Sequence, residues 1–91
     1  METNLTFKDY VENLLILKAF NIEIADKYVR TKNELDYIML KRSLKLTEKL
    51  QQNLDIDSLD DDMNALLQLY TLSEIYAISK AHEVRELERE K

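Results

Sequence analysis

Asn53-Leu54-Asp55-Ile56-Asp57-Ser58 is the only polar, turn-like stretch of any length in a chain of 91 residues that has no glycine, proline, cysteine or tryptophan. Tight turns and left-handed caps draw heavily on Gly and Pro, so their absence predicts long helices joined by minimal connections. Ser58 and Asp61 stand at capping-box spacing just beyond this break. Asp60, Asp61 and Asp62 then fall in the first turn of the next helix, where free amides and the helix dipole favour carboxylates.

Working outward from that break, a C-terminal helix is expected from 59 to about 88. Alternating four- and three-residue steps pick out a seam of Leu59, Met63, Leu66, Tyr70, Ser73, Ala77, Lys80, Val84 and Leu87, with a second stripe of Ala65, Leu69, Leu72 and Tyr76 about a third of a turn away. Two helices precede the break. Thr6 with Asp9 forms a capping box, flanked by Leu5 and Tyr10 at staple positions, and starts a helix at Phe7. Its broad apolar face runs from Phe7, Val11 and Leu14 to Ile24, Ala25, Tyr28 and Val29. Lys18 and Asn21 interrupt that face, and Ile16 with Phe20 stands behind it.

Thr31 and Glu34 form a further capping box, which places a break near 31 and a middle helix over 32–53. Its core face is expected at Leu35, Met39, Leu40, Leu44, Leu46, Leu50 and Leu54, with Lys41, Lys45 and Lys49 on a basic ridge opposite and Arg42 close by. The fold class is therefore all-α: an up-down-up three-helix bundle with helices about 7–30, 32–53 and 59–88. Because the first two apolar faces are nearly in phase, a single bent helix over 7–53 is the alternative, giving a two-helix hairpin that dimerises. The whole of 1–91 reads as one helical domain, with 85–91 fraying or extending as a helical arm.

Composition excludes several classes of function. Without cysteine there are no disulfides, thiolate metal sites or cysteine nucleophiles. The longest apolar run, Leu14-Leu15-Ile16-Leu17, is far short of the roughly 20 residues that cross a bilayer, and Met-Glu-Thr-Asn is no basic leader. A soluble, cytoplasmic protein without membrane association is the expectation, and its net charge of −5 disfavours nucleic acid on average.

No constellation supports catalysis, a cofactor or a metal. His82 has Ser79 and Glu86 one turn to either side, yet residues in line along one helix rarely meet as nucleophile, base and orienter. The aspartates at 55, 57, 60, 61 and 62 lack the glycine and the twelfth-position glutamate of a calcium loop; helix capping explains them.

What remains is surplus apolar surface. A non-enzymatic protein-binding module is expected, a homodimer that acts as adaptor, inhibitor or regulatory factor through Ile16, Phe20, Tyr37, Ile38, Ile75 and Ile78. The first alternative is a passive structural homo-oligomer in which the last helix pairs with its copy through Tyr70, Ala77, Val84 and Leu87. The second is a small nucleic-acid regulator using Lys41, Arg42, Lys45 and Lys49, a ridge that could equally meet an acidic protein.

Overall fold

The structure, a computed structural model, describes residues 7–90. It contains three long helices and, among the described residues, no strand: α1 (Phe7–Thr31), α2 (Glu34–Gln52) and α3 (Asp61–Arg89), with a single 3-10 turn (Ile56–Ser58) before α3. They run up, down and up, and α1 is the central helix that packs against both others. The expected cap at Thr6 and the staple residue Leu5 lie outside the described residues.

Two connections decide this topology, and both differ in detail from the capping-box reading. At the first, α1 ends in a left-handed residue, Lys32 with φ of 56°. Its amide donates to Tyr28 O at 2.7 Å, which closes an αL cap and turns the chain out of the helix. A continuous bent helix over 7–53, and the two-helix hairpin built on it, are thereby excluded. Asn33, not Thr31, caps α2, its side chain accepting from the Leu35 amide at 3.0 Å. Thr31 is instead the last residue of α1, and its hydroxyl donates to Asp36 Oδ2 at 2.8 Å.

At the second connection Asp60, not Ser58, caps α3 by accepting from the Met63 amide at 2.8 Å. Ser58 belongs to the 3-10 turn that Asp55 organises, Oδ1 accepting from the Asp57 amide at 3.1 Å and Oδ2 from the Ser58 hydroxyl at 2.8 Å. Sequence alone could not choose, because Ser, Thr, Asn and Asp all cap well and several stand side by side at both breaks. α3 runs to Arg89, so of the two expectations for 85–91, fraying or a helical extension, the helix continues as far as 89.

A non-glycine residue in the left-handed region carries strain of about 1 kcal/mol. The lost ion pair between Lys32 and Glu88 (3.4 Å) is exposed and worth little. We expect Lys32→Gly to raise stability by about 0.5 kcal/mol and Lys32→Val to lower it by about 1 kcal/mol or more, as read from urea midpoints. A Val variant as stable as the parent contradicts the αL cap.

The core has two apolar halves. One, next to the α1–α2 connection, holds Ile24, Ala25, Tyr28, Tyr37, Leu40 and Ala81, with Val29, Leu44, Ala77, Ile78 and Val84 packed against it. The other, next to the 53–60 connection, holds Val11, Leu14, Leu54 and Leu67, with Tyr10, Leu15, Leu50, Leu59 and Met63 around it. The Tyr10 hydroxyl ties α1 to the end of α2 by donating to Leu50 O.

The helix faces are rotated from the expected ones. In α2 the buried line is Asp36, Tyr37, Leu40 and Thr47, whereas Leu35, Met39 and Leu46, expected in the core, are exposed. In α3 the buried line is Leu67, Glu74 and Ala81, at seven-residue intervals. Of the seam expected along this helix, Leu59, Met63, Ala77 and Val84 pack against the core, whereas Leu66, Ser73 and Lys80 are exposed on its flank. The molecule is consequently open, with a radius of gyration of 15.0 Å against the roughly 12 Å of a compact chain of this length.

Candidate interaction site

Between the two apolar halves all three helices contribute to one buried polar layer. Lys18, whose side chain is 1% exposed, donates from Nζ to Glu74 Oε1 at 3.1 Å. Asn21 donates from Nδ2 to Glu74 Oε2 at 2.7 Å and to Thr47 Oγ1 at 2.9 Å, and accepts the Ser43 hydroxyl at its Oδ1. Thr47 in turn donates to Ser43 O at 2.8 Å. Among the described residues no buried side-chain nitrogen or oxygen is left without a partner.

Such a layer can do little chemistry, because each group is consumed by another and the pair of charges is sealed from water. Its effect is on alignment. Any one-residue slip of a helix would leave a buried ion or amide unsatisfied, at about 1–3 kcal/mol for each neutral group and more for a charge. Of its members the sequence marks Lys18 and Asn21, as interruptions of an apolar face. Glu74 was missed; its signal is the seven-residue step from Leu67 to Glu74 to Ala81.

A second polar cluster fastens α2 to α3 beside the α1–α2 connection. The Arg85 guanidinium hydrogen-bonds Glu34 and lies 4.1 Å from the centre of the Tyr37 ring. That ring packs at 5.1 Å from Tyr28, and its hydroxyl is 3.1 Å from His82 Nδ1. The hydrogen bond from Arg85 holds the Glu34 carboxyl below its ordinary range, and reciprocally raises Arg85. Tyr37, expected on a partner surface, is thus buried and structural, because its hydroxyl and ring face have partners on α3. His82 meets Tyr37 rather than Ser79 and Glu86.

Most of the exposed large apolar residues gather on two surfaces, with Phe7, Leu35, Ile38 and Leu87 standing apart. The first is a groove of about 510 Å³ between α1 and α2, lined by Ile16, Leu17, Phe20, Met39, Arg42, Ser43 and Leu46. Ile16 is 66% exposed. Ser43 carries the groove down to the polar layer. Sequence reasoning named Ile16 and Phe20 for a partner but assigned Met39 and Leu46 to the core; the structure brings the four together. The second surface is the outer face of α3, where Leu69, Leu72 and Tyr76 are exposed, with Leu66 and Ile75 beside them.

Of the other expected partner residues, Ile38 and Ile75 are exposed, while Ile78 packs on the core. In the expected dimer seam, Ala77 and Val84 also pack on the core, Tyr70 is half-buried and Leu87 is exposed. Those four do not form one free face. Lys41, Arg42, Lys45 and Lys49 are all exposed, but the ridge divides: Arg42 joins the groove and Lys41 sits 5.9 Å above the Tyr37 ring. No group of three or more His, Cys, Asp or Glu among the described residues could hold a metal ion, and no described helix is long and apolar enough to cross a membrane.

Compared with protein-family models, with curated proteins and with solved structures, the chain matches none.

Proposed function

We propose that this chain is a non-enzymatic protein-binding module, cytoplasmic in setting, whose α1/α2 groove receives an amphipathic helix of a partner protein. The observation that carries the reading is the gathering of Ile16, Phe20, Met39 and Leu46 into one shallow, open groove. Singly exposed apolar residues are ordinary, but a contiguous patch of them along a groove is what helix-in-groove recognition uses. Total surface points the same way: the chain exposes 6795 Å², against roughly 5,500 Å² for a folded monomer of its mass.

The groove's chemistry narrows the partner. Two short apolar walls accept side chains one helical turn apart, and the flexible thioether of Met39 adapts to their shape. Arg42 on the rim presents a fork for a carboxylate, so the favoured partner carries an acidic residue beside its apolar stripe.

The test is native capture from the source cell with the parent chain and with Ile16→Ser/Phe20→Ser, followed by mass measurement of the complexes. We expect the double variant to keep its helical circular dichroism and to bind the captured protein at least about tenfold more weakly. Equal binding by both chains would sink the assignment of this groove.

A further inference from the structure

We infer that the outer face of α3 is a self-complementary dimer surface, on which a second copy of this chain pairs its own α3 in antiparallel orientation. Viewed down α3, the line Leu67, Glu74 and Ala81 points into the molecule, and Ala65, Leu69, Leu72 and Tyr76 stand nearly opposite it, all exposed. Their spacing of four, three and four residues is a coiled-coil seam. It continues at the same spacing into Asp62 on one side and Ser79 on the other, both exposed as well.

The occupant follows from what each position offers its counterpart. If Leu69 of one chain packs beside Leu72 of the other, the antiparallel register sets every remaining layer. Ala65 then faces Tyr76, so a small residue makes room for a large one. Asp62 faces Ser79, a hydroxyl donor for a carboxylate, and Lys80 falls within about one residue rise of Asp62 on the same flank. Because the register is its own mirror under a twofold axis, each of these pairs forms twice. Parallel pairing in register gives the opposite: Ala65 on Ala65 leaves a gap, Tyr76 meets Tyr76, and Asp62 is set against Asp62. In the isolated chain Lys80 rests 5.3 Å above the Tyr76 ring, so its ammonium already lies over the seam.

The exposed parts of Leu69, Leu72 and Tyr76 amount to roughly 400 Å² per copy, and the flanking Leu66, Ser73 and Ile75 add to it. With those flanks the patch approaches the lower end of specific interfaces, about 600 Å² per partner, which places the pairing among weak associations, expected in the micromolar range or weaker. This face is separate from the α1/α2 groove, and the dimer does not depend on the groove's function.

Sedimentation equilibrium of the full chain from about 1 µM to about 1 mM tests the proposal. A monomer–dimer equilibrium is expected. Asp62→Lys and Lys80→Asp should each weaken it about tenfold, and the chain carrying both should return to within about threefold of the parent, because the swapped charges face each other again. Leu69→Lys/Leu72→Lys should be monomeric with unchanged helical circular dichroism, whereas Ile16→Ser/Phe20→Ser should dimerise like the parent. A chain that stays monomeric to about 1 mM overturns the inference. So does a dimer that survives Leu69→Lys/Leu72→Lys, or a charge swap that fails to restore association.

Discussion

Replacing Lys18 with methionine should destabilise this protein by about 3–5 kcal/mol, because it strands the Glu74 carboxylate in the interior with only the Asn21 amide for company. The effect is large against the whole, since a chain of this size is held together by roughly 5–14 kcal/mol. The ion pair itself contributes little net stability: two desolvated charges lose about as much hydration as they regain in attraction. What makes the single change severe is the partner left behind. Lys18→Met/Glu74→Gln, which removes both charges and leaves an amide oxygen to accept from Asn21, should therefore recover more than half of the loss. Urea denaturation of the three chains checks this. A Lys18→Met variant within about 1 kcal/mol of the parent would show that Glu74 reaches water, and that the polar layer is no layer at all.

The second large effect separates two leucines that hydropathy alone cannot tell apart. Leu40→Ala should cost about 2–5 kcal/mol, since Leu40 is fully buried against Tyr28, Tyr37 and Ala81 in the same cluster. Leu35→Ala and Leu46→Ala, in the same helix and expected on the same face from sequence, should each cost no more than about 0.5 kcal/mol, because both are half or more exposed. Urea midpoints measure all three. Equal losses at 35 and 40 would return α2 to the rotation that its leucines suggest.

That rotation shows what was legible in the chain and what was not. The number of helices, their order and the two breaks follow from local signals: the lack of Gly and Pro, the clusters of capping residues and the turn at 53–58. The phase of α2 does not, because its buried face is partly polar. Asp36 is inside because Thr31 donates to it and Thr47 because Asn21 does, and both partners come from α1. A hydropathy reading excludes such residues from a core and turns the helix toward Leu35, Met39 and Leu46 instead. The same bias hid Glu74. Its partners lie more than fifty positions earlier, at Lys18 and Asn21.

The candidate site was readable in half. Ile16 and Phe20 stood out as apolar residues behind an apolar face. Their companions Met39 and Leu46 did not, since a residue on a leucine-rich helix counts as core until a neighbour is seen to be missing. Once α2 is turned so that Asp36 and Thr47 meet α1, Leu40, Leu44 and Leu50 stay with the core and Leu35, Met39 and Leu46 face outward. The buried polar layer and the exposed groove are thus two consequences of one rotation, and the energy that holds the former keeps the latter uncovered.

Hydroxyl-radical footprinting of the chain, free and in the complex captured from its own cell, tests most directly the claim that the α1/α2 groove is the working surface. Ile16, Phe20, Met39 and Leu46 should oxidise rapidly in the free chain and be strongly protected in the complex, with no change at buried Leu14, Tyr28 and Leu40. Groove residues that are already protected in the free monomer, or that stay equally reactive when the partner is bound, would contradict the claim.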